Sequence, residues 1–373
     1  MQHPTKVVLV SYPDDFSIDE ARGLVLSMPE YEIVKVFTQK YLNRSRYGMG
    51  AGKAEEINTF VKENSNIGKI VVDAHLSPRQ IFNLEQLLGT EVLDRERLIL
   101  DIFYSRATTV EAKLQIQLAE IEYNMPRVRE KAKLMSKSNE RAGKGGKGEY
   151  IVDVQFRDLK RQMSFVKDKL KDAQLKRQVY QQQRLKQGMT VVSLVGYTSS
   201  GKTTLFNLLT QENKKTSSDL FTTLSTSTRS LKVQNKNNGE KNEEVLIVDT
   251  VGFISRLPHY MIDAFKSTLE ESLAADLILL LIDCSDDIKE IGIKYSSCWE
   301  VLEELKVDKS KVFLVLSKAD KIESDKINEI VDYLGIGTAN KMIVSSKTGY
   351  GMQKLRTMLL SKKNTQKQSM SLN

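Results

Sequence analysis

Short apolar runs alternate with helix-period segments from residue 6 to residue 100. KVVLVSY, YEIVKVF and KIVVDAH read as strands, while IDEARGLVLSM, AEEINTFVKE and PRQIFNLEQLL space their apolar residues as amphipathic helices do. This predicts an N-terminal α/β domain over 1–104. Near residue 105 the pattern changes to RATTVEAKLQIQLAEIEYNM, a glycine-free stretch of helical period, and Pro126 is expected to kink or end that helix. RAGKGGKGEY at 141–150 holds too much glycine to continue any helix, and a second long polar helix is predicted from about 153 to 187, stopping at Gly188. Residues 105–188 thus read as an antiparallel helical hairpin with a glycine- and lysine-rich tip.

From residue 189 strands and helices alternate again. MTVVSLV, VLIVD, LILLLID, KVFLVLS and KMIVSS are continuous apolar runs, which predicts a mostly parallel sheet with helices on both faces over 189–361. SKKNTQKQSMSLN lacks apolar periodicity, so 362–373 is predicted to be a disordered tail. The fold class is α/β throughout, interrupted by the hairpin.

Composition narrows this only a little. With 373 residues, 40% hydrophobic and 28% charged, the chain has the make-up of a folded protein of two or three domains. No apolar stretch reaches the roughly 18 residues of a membrane span, and the N-terminus lacks the pattern of a secretory leader. We expect a cytoplasmic protein, monomeric and without a membrane span. Cys284 and Cys298 lack metal-ligand spacing and read as reduced structural thiols, and His3, His75 and His259 are too far apart in sequence to suggest a zinc site.

Charge changes the picture more. Residues 126–187 hold 18 Lys and Arg against 7 Asp and Glu, a balance of +11, whereas the remaining residues hold 38 against 41. The excess positive charge therefore sits on the hairpin, which suits a polyphosphate surface such as nucleic acid. The plainer alternative is a solvated helical spacer.

The chemistry is concentrated after the MTVVSLV strand. Gly196-Tyr197-Thr198-Ser199-Ser200-Gly201-Lys202-Thr203, followed by Thr204, fits G-x-x-x-x-G-K-[ST] between a strand and a helix. Its glycines let successive backbone amides turn toward phosphate oxygens, and the following helix adds the positive end of its dipole. Lys202 is expected on the β- and γ-phosphates and the Thr203 hydroxyl on Mg2+. VLIVDTVG then supplies Asp249 for the same ion, with Thr250, Val251 and Gly252 as the loop that senses the γ-phosphate. In FTTLSTST, after Phe221, we take Thr223 as the second metal-binding hydroxyl, with Thr222 as its rival.

A base site follows. LVLSKAD places Ser317, Lys318, Ala319 and Asp320 after an apolar strand, at the sheet edge where a purine lies. A carboxylate at Asp320 can accept from guanine N1–H and N2–H, a donor pair adenine lacks, and Lys318 can cover the ring. Ser345, Ser346 and Lys347 close the pocket from SSKTG. GMGAGK at 48–53 is also glycine-rich, but no Ser or Thr follows its lysine.

These motifs, together with GMGAGKAEEI, LSPRQIFNLE, LDRERLILDIFYSRA and QLAEIEYNMPR upstream, make the chain resemble the HflX GTPases of the Obg-HflX branch of translation-factor-class P-loop GTPases. The resemblance spans nearly the whole chain. It implies a Mg2+-dependent GTPase that binds GTP and GDP and associates with the large ribosomal subunit and its RNA, separating or rescuing stalled ribosomes. It also implies that the runs around Lys53 and around Arg141, Lys144 and Lys147 face RNA.

Three departures from the family pattern carry expectations. Ser199 stands where the family usually has an asparagine, which puts potassium stimulation in doubt. Ser317 stands where the guanine motif has an asparagine, so we expect lost contacts to the base edge and to the phosphate loop and weaker nucleotide binding, with guanine preference resting on Asp320. The glycine loop is shorter and richer in lysine than the family's usual form. Catalysis raises a separate point. Many GTPases orient the attacking water with a glutamine after the DxxG glycine, but here that residue is Phe253, which has no donor or acceptor. We expect slow hydrolysis that the ribosome accelerates, with Arg256 and His259 mostly facing solvent. Alternatives are a stand-alone nucleotide switch or hydrolase with a protein-binding N-terminal half, a structural RNA-binding protein, and an ATP-specific enzyme.

Overall fold

The computed structural model describes residues 4–139, 147–186, 189–212, 221, 227–231, 245–264, 275–336 and 341–370. The chain divides into two units, Met1–Asp172 and Ala173–Asn373.

In the first unit, strands β1 (Thr5–Ser11), β2 (Tyr31–Thr38), β3 (Ile67–Val72) and β4 (Glu91–Asp94) form a parallel sheet in the order β2-β1-β3-β4. The inner strands β1 and β3 carry the buried runs VVLV and IVV, because helices cover both of their faces. Helices α1 (Asp15–Leu26), α2 (Ala51–Glu63), α3 (Pro78–Leu88) and α4 (Arg95–Arg106) follow successive strands. The start of α3 is specified locally. Ser77 and Gln80 cap each other's backbone amides, Pro78 takes the first turn, and Gly89 ends the helix in a left-handed conformation. α2 and α3 then bury Ile57, Val61, Leu84 and Leu88 against Val8, Val10, Ile70 and Val72.

At the C-terminal edge of this sheet Arg95 is buried between two carboxylates, 2.5 Å from Asp73 Oδ1 and 2.6 Å from Glu20 Oε2. Ser11 donates to Asp73 at 3.1 Å. Carboxylates on both sides offset the cost of burying its charge.

The hairpin consists of α5 (Val110–Asn139) and α6 (Lys147–Lys186). Leu118 and Ile121 pack on Val166, Glu122 lies 3.8 Å from Lys167, and Arg129 stands 4.1 Å over the Phe156 ring. Partners on α6 move backward as α5 advances, so the helices are antiparallel, as expected. Two boundaries differ from expectation. α6 starts at Lys147 rather than near 153, and α5 runs through Pro126 without ending. The residues around Pro126 explain the second difference. Met125 packs beside the Leu118–Ile121–Val166 cluster, and Arg127 pairs with Asp94 at 2.9 Å while its guanidinium covers the Tyr123 ring at 3.3 Å. Tertiary contacts on both sides outweigh the roughly 3 kcal/mol a proline costs a helix.

Asp94 is fully buried and accepts from Arg127, from the Tyr123 hydroxyl at 2.9 Å, and from the amides of Leu76 at 3.2 Å and Arg97 at 2.9 Å. Burial raises its pKa despite these donors, and the Asp94 carboxylate in turn helps burial push the Tyr123 phenol up.

The second unit holds β5 (Thr190–Gly196), β6 (Ser227–Leu231), β7 (Val245–Asp249), β8 (Leu277–Asp283), β9 (Val312–Ser317) and β10 (Lys341–Ile343) in the order β10-β9-β8-β5-β7-β6. All pairs are parallel except β6 with β7, which matches the predicted sheet. β8 is buried at every position of LILLLID. Helices α7 (Lys202–Thr210) and α10 (Met352–Met370) share one core with Leu279 and Leu281, through Leu205, Phe206, Leu209, Leu355 and Leu359. Strand alternation turns Ile278, Leu280 and Ile282 to the opposite face, and α8 (Ile288–Glu304) and α9 (Ser324–Tyr333) are further helices of this unit. α10 continues to Met370, where the sequence suggested no structure from 362 on. Lys, Gln and Met are good helix formers, and no Gly or Pro interrupts that stretch.

Candidate nucleotide-binding site

The phosphate loop leaves β5 at Gly196, where φ is 150° and an added Cβ would come within 2.3 Å of the Leu281 carbonyl. Only glycine lets the chain turn there, between β5 and its neighbour β8. Ser199 (φ 60°) and Gly201 (φ 90°) complete the turn, and α7 begins at Lys202 with no side chain capping its first amides. Thr198 and Ser200 are buried, Ser199 and Thr204 exposed. Ser200 Oγ is buried with no hydrogen-bond partner among the described residues. A buried hydroxyl in that position fits a loop shaped for an anionic oxygen.

Lys202 is buried under the loop, its ammonium donating to the carbonyls of Gly196 at 3.1 Å and Tyr197 at 2.6 Å. Burial lowers its pKa to about 8, opposed by the nearby Asp249 carboxylate. Asp249 ends β7, fully buried, and its Oδ2 accepts from Thr203 Oγ1 at 3.2 Å. Thr250 donates to the Leu194 carbonyl at 2.7 Å, which fixes the start of the loop that follows. At Gly252 an added Cβ would lie 2.9 Å from the Lys202 ammonium.

The next residues lie along the phosphate loop. The Phe253 amide donates to the Gly196 carbonyl at 3.0 Å, and its own carbonyl accepts from the Thr198 amide at 2.8 Å, a one-residue parallel bridge to Tyr197. The Phe253 side chain is 2% exposed. Ser255 N–H donates to the Tyr197 hydroxyl at 2.7 Å. Arg256 is exposed, and His259, also exposed, sits 2.9 Å from Glu304 Oε1, whose hydrogen bond raises the imidazole pKa.

At the predicted base site, Lys318 adopts φ 58° and its ammonium lies 2.5 Å from Asp283 Oδ2. The Ala319 amide donates to the Val344 carbonyl at 3.2 Å. Asp320 is exposed, and its Oδ1 accepts from the buried Ser345 hydroxyl at 2.5 Å. That hydrogen bond holds the Asp320 carboxyl below the usual carboxylate range. Ser346 and Lys347 continue the turn toward solvent.

One expectation is overturned here. Ser317 does not lose its link to the phosphate loop: its Oγ lies 2.7 Å from the Ser200 carbonyl and 3.1 Å from the Ile282 carbonyl. A serine hydroxyl spans the gap because β9 and β5, flanking β8, bring the two backbones close enough.

The structure therefore joins the phosphate loop, the segment 249–255 and Ser317 into one site. Phe221 is buried with φ 58°, and Thr222 and Thr223 lie outside the described residues. So do Arg141 and Lys144, while Lys147 opens α6. Lys53 lies in the first unit, paired with Glu56 at 2.6 Å. Sequence reasoning missed Asp283 and Ser255, while Cys284, read as a structural thiol, is free and buried and donates to the Ser317 carbonyl at 2.7 Å. Asp283 had a signal, since it ends the fully apolar strand between β5 and β9.

Three consecutive segments match known families: residues 15–104 match "GTP-binding GTPase N-terminal", residues 106–184 "GTP-binding GTPase Middle Region" and residues 191–318 "50S ribosome-binding GTPase". Over 347 residues the chain is 40% identical to GTPase HflX of Methanocaldococcus jannaschii, covering 93% of this chain and 83% of that protein. The chain belongs to the HflX GTPases. HflX of Chlamydia pneumoniae is 32% identical over 362 residues, covering 96% of this chain and 71% of that one. Among solved structures, a GTP-binding protein from Sulfolobus solfataricus in complex with GDP aligns at a TM-score of 0.50 and 24% identity, covering 97% of this chain and 99% of that one. The SsGBP and GDP complex aligns at 0.54 and 23% identity, with the same shares covered. At these identities the likeness establishes the shared fold. As an HflX GTPase, the chain binds GTP and hydrolyses it. No helix among the described residues is long and apolar enough to cross a membrane.

Proposed function

We propose that this HflX GTPase acts on the large ribosomal subunit, in splitting or rescue of stalled ribosomes, with hydrolysis slow in the free protein and raised by the ribosome. The observation that carries this is Phe253. Its side chain is buried and its backbone is bonded along the phosphate loop, so the position where other GTPases hold a water-orienting glutamine offers no polar group. A hydrolysing protein without that group needs a partner to complete the site. The partner we assign is ribosomal RNA, because residues 126–187 concentrate a charge balance of +11 and residues 191–318 match a family described as ribosome-binding.

In this reading the loop amides and Lys202 hold the β- and γ-phosphates, and the Gly252 amide meets the γ-phosphate. Asp320 reads guanine, Lys318 covers the ring, and Ser345 with Ser346 and Lys347 closes the pocket. The Thr203 hydroxyl and Asp249 carboxylate, 3.2 Å apart, are hard oxygen donors that fit Mg2+, and Thr223 would add another hydroxyl. When bound, the ion supplies neutralisation of charge on the phosphate oxygens. Lys202 already faces the loop interior, and a triphosphate draws its ammonium from the Gly196 and Tyr197 carbonyls onto phosphate oxygen.

Co-sedimentation with separated ribosomal subunits, comparing a GTP analogue with GDP, tests partner and switch together. Single-turnover GTP cleavage with and without large subunits tests the stimulation. Retention on the large subunit with the analogue and faster cleavage in its presence are expected; equal binding in all nucleotide states and equal rates would refute the proposal.

A further inference from the structure

β8 lies between the strand that feeds the phosphate loop and the strand that carries the base motif, and it ends in a carboxylate that is itself immobilised. Asp283 is buried, and its Oδ1 accepts from the Ser285 amide at 3.0 Å and the Ser285 hydroxyl at 2.7 Å. Its Oδ2 faces the Lys318 ammonium at 2.5 Å. The backbone around the pair is tied on both sides of Lys318. The Ser317 carbonyl accepts from the Cys284 amide at 3.1 Å and from the Cys284 thiol at 2.7 Å, and the Ala319 amide donates to the Val344 carbonyl at 3.2 Å.

Lys318 is therefore held at its two ends. Its backbone sits at φ 58° and ψ 35°, a left-handed conformation that a residue with a Cβ adopts at a cost. That conformation sets the direction in which the side chain leaves the strand, and Asp283 fixes where the side chain ends. The Lys318 side chain is still 31% exposed, so its stem stays within reach of a ligand while the ammonium is held. A ligand that has to order a free lysine stem loses about 2- to 12-fold in affinity. A stem ordered before the ligand arrives avoids that loss.

We propose that Asp283 is a positioning residue for the purine: it presets the Lys318 stem where the base lies, at the C-terminal edge of the sheet. This rests on the reading that Lys318 covers the ring, and it names the group that holds the lysine there. The effect belongs to GDP and GTP alike, because both carry the base. The competing role for Asp283 is to close the turn into α8 through Ser285 alone.

Calorimetric titration of the full chain with GDP separates the two roles. Asp283→Asn keeps an acceptor oxygen for Ser285 and removes the charge that holds Lys318, so GDP binding is expected to weaken about 2- to 12-fold. Asp283→Glu returns a carboxylate to within reach of the flexible lysine but moves it off the Ser285 turn, and should restore most of the loss. In a Lys318→Ala background, Asp283→Asn should have no further effect on GDP affinity. In GTP hydrolysis the loss should fall on KM rather than on kcat. Lys318→Ala by itself tests the underlying reading: GDP affinity equal to the parent's would remove Lys318 from the base, and Asp283 with it. If Lys318→Ala weakens binding while Asp283→Asn binds GDP as the parent does, the role of Asp283 alone is overturned. It is overturned equally if Asp283→Asn costs as much in the Lys318→Ala background as in the parent, or if Asp283→Glu restores nothing.

Discussion

The phenolic oxygen of Tyr197 accepts the Ser255 amide proton at 2.7 Å, so a phosphate-loop side chain directly holds the segment proposed to sense the γ-phosphate. Both groups are buried. Tyr197→Phe removes the acceptor and keeps the ring, so the buried Ser255 N–H loses this bond. We expect the nucleotide-free protein to lose about 1–3 kcal/mol of stability, read by chemical denaturation. An unchanged unfolding midpoint would show that the bond contributes nothing.

Ser317→Ala removes the hydroxyl that reaches the Ser200 carbonyl at 2.7 Å. In the proposed nucleotide pose this contact lies behind the loop rather than on the γ-phosphate, so GDP and GTP binding should weaken alike, by about 5- to 10-fold for a bond worth about 1–1.4 kcal/mol. Calorimetric titration of both nucleotides decides it, and a loss confined to one of them would contradict this placement.

Asp320→Asn replaces an acceptor pair with an amide that meets guanine N1–H and N2–H poorly. Charge-assisted bonds of about 1.5–3 kcal/mol predict a loss of GTP affinity of at least about tenfold. Ser345→Ala should produce a smaller loss in the same direction, because the Ser345 hydroxyl bonds Asp320 Oδ1. Competition between GTP and ATP reads both effects; undiminished preference for GTP in the Asp320 variant would remove Asp320 from the base site.

Lys202 also predicts a pH dependence. Burial lowers its pKa to about 8 in the nucleotide-free protein, whereas phosphate oxygens favour the ammonium and raise the pKa on binding. Below pH 8 the lysine is already charged and affinity is flat in this respect. Above it, binding must take up a proton, and affinity falls by up to about tenfold per pH unit. Titration above pH 8 in buffers of different ionisation enthalpy should reveal the proton uptake; equal heats in all of them would argue against it.

Most of the second unit was legible because a parallel sheet covered on both faces writes itself as unbroken apolar runs, as in LILLLID for β8. The phosphate loop was legible for a different reason: its backbone demands glycine at 196 and 201, and few other arrangements do. What escaped the sequence depended on distant partners. Nothing near Pro126 announces that Arg127 will find Asp94 and hold α5 together across the proline. Likewise, the reach of Ser317 to Ser200 depends on the spacing of two strands that flank a third, a distance no local pattern encodes. Ser255 escaped because its tie to Tyr197 is long-range, and Asp283 was legible as a strand end but not in its pairing with Lys318.

Asp94 has a mechanical consequence. It ends β4, caps α4 and grips Tyr123 and Arg127 on α5, so one carboxylate clamps the root of the hairpin to the sheet. A force applied along α5 meets a cantilever rather than a joint. The load passes into β4 before the root can pivot.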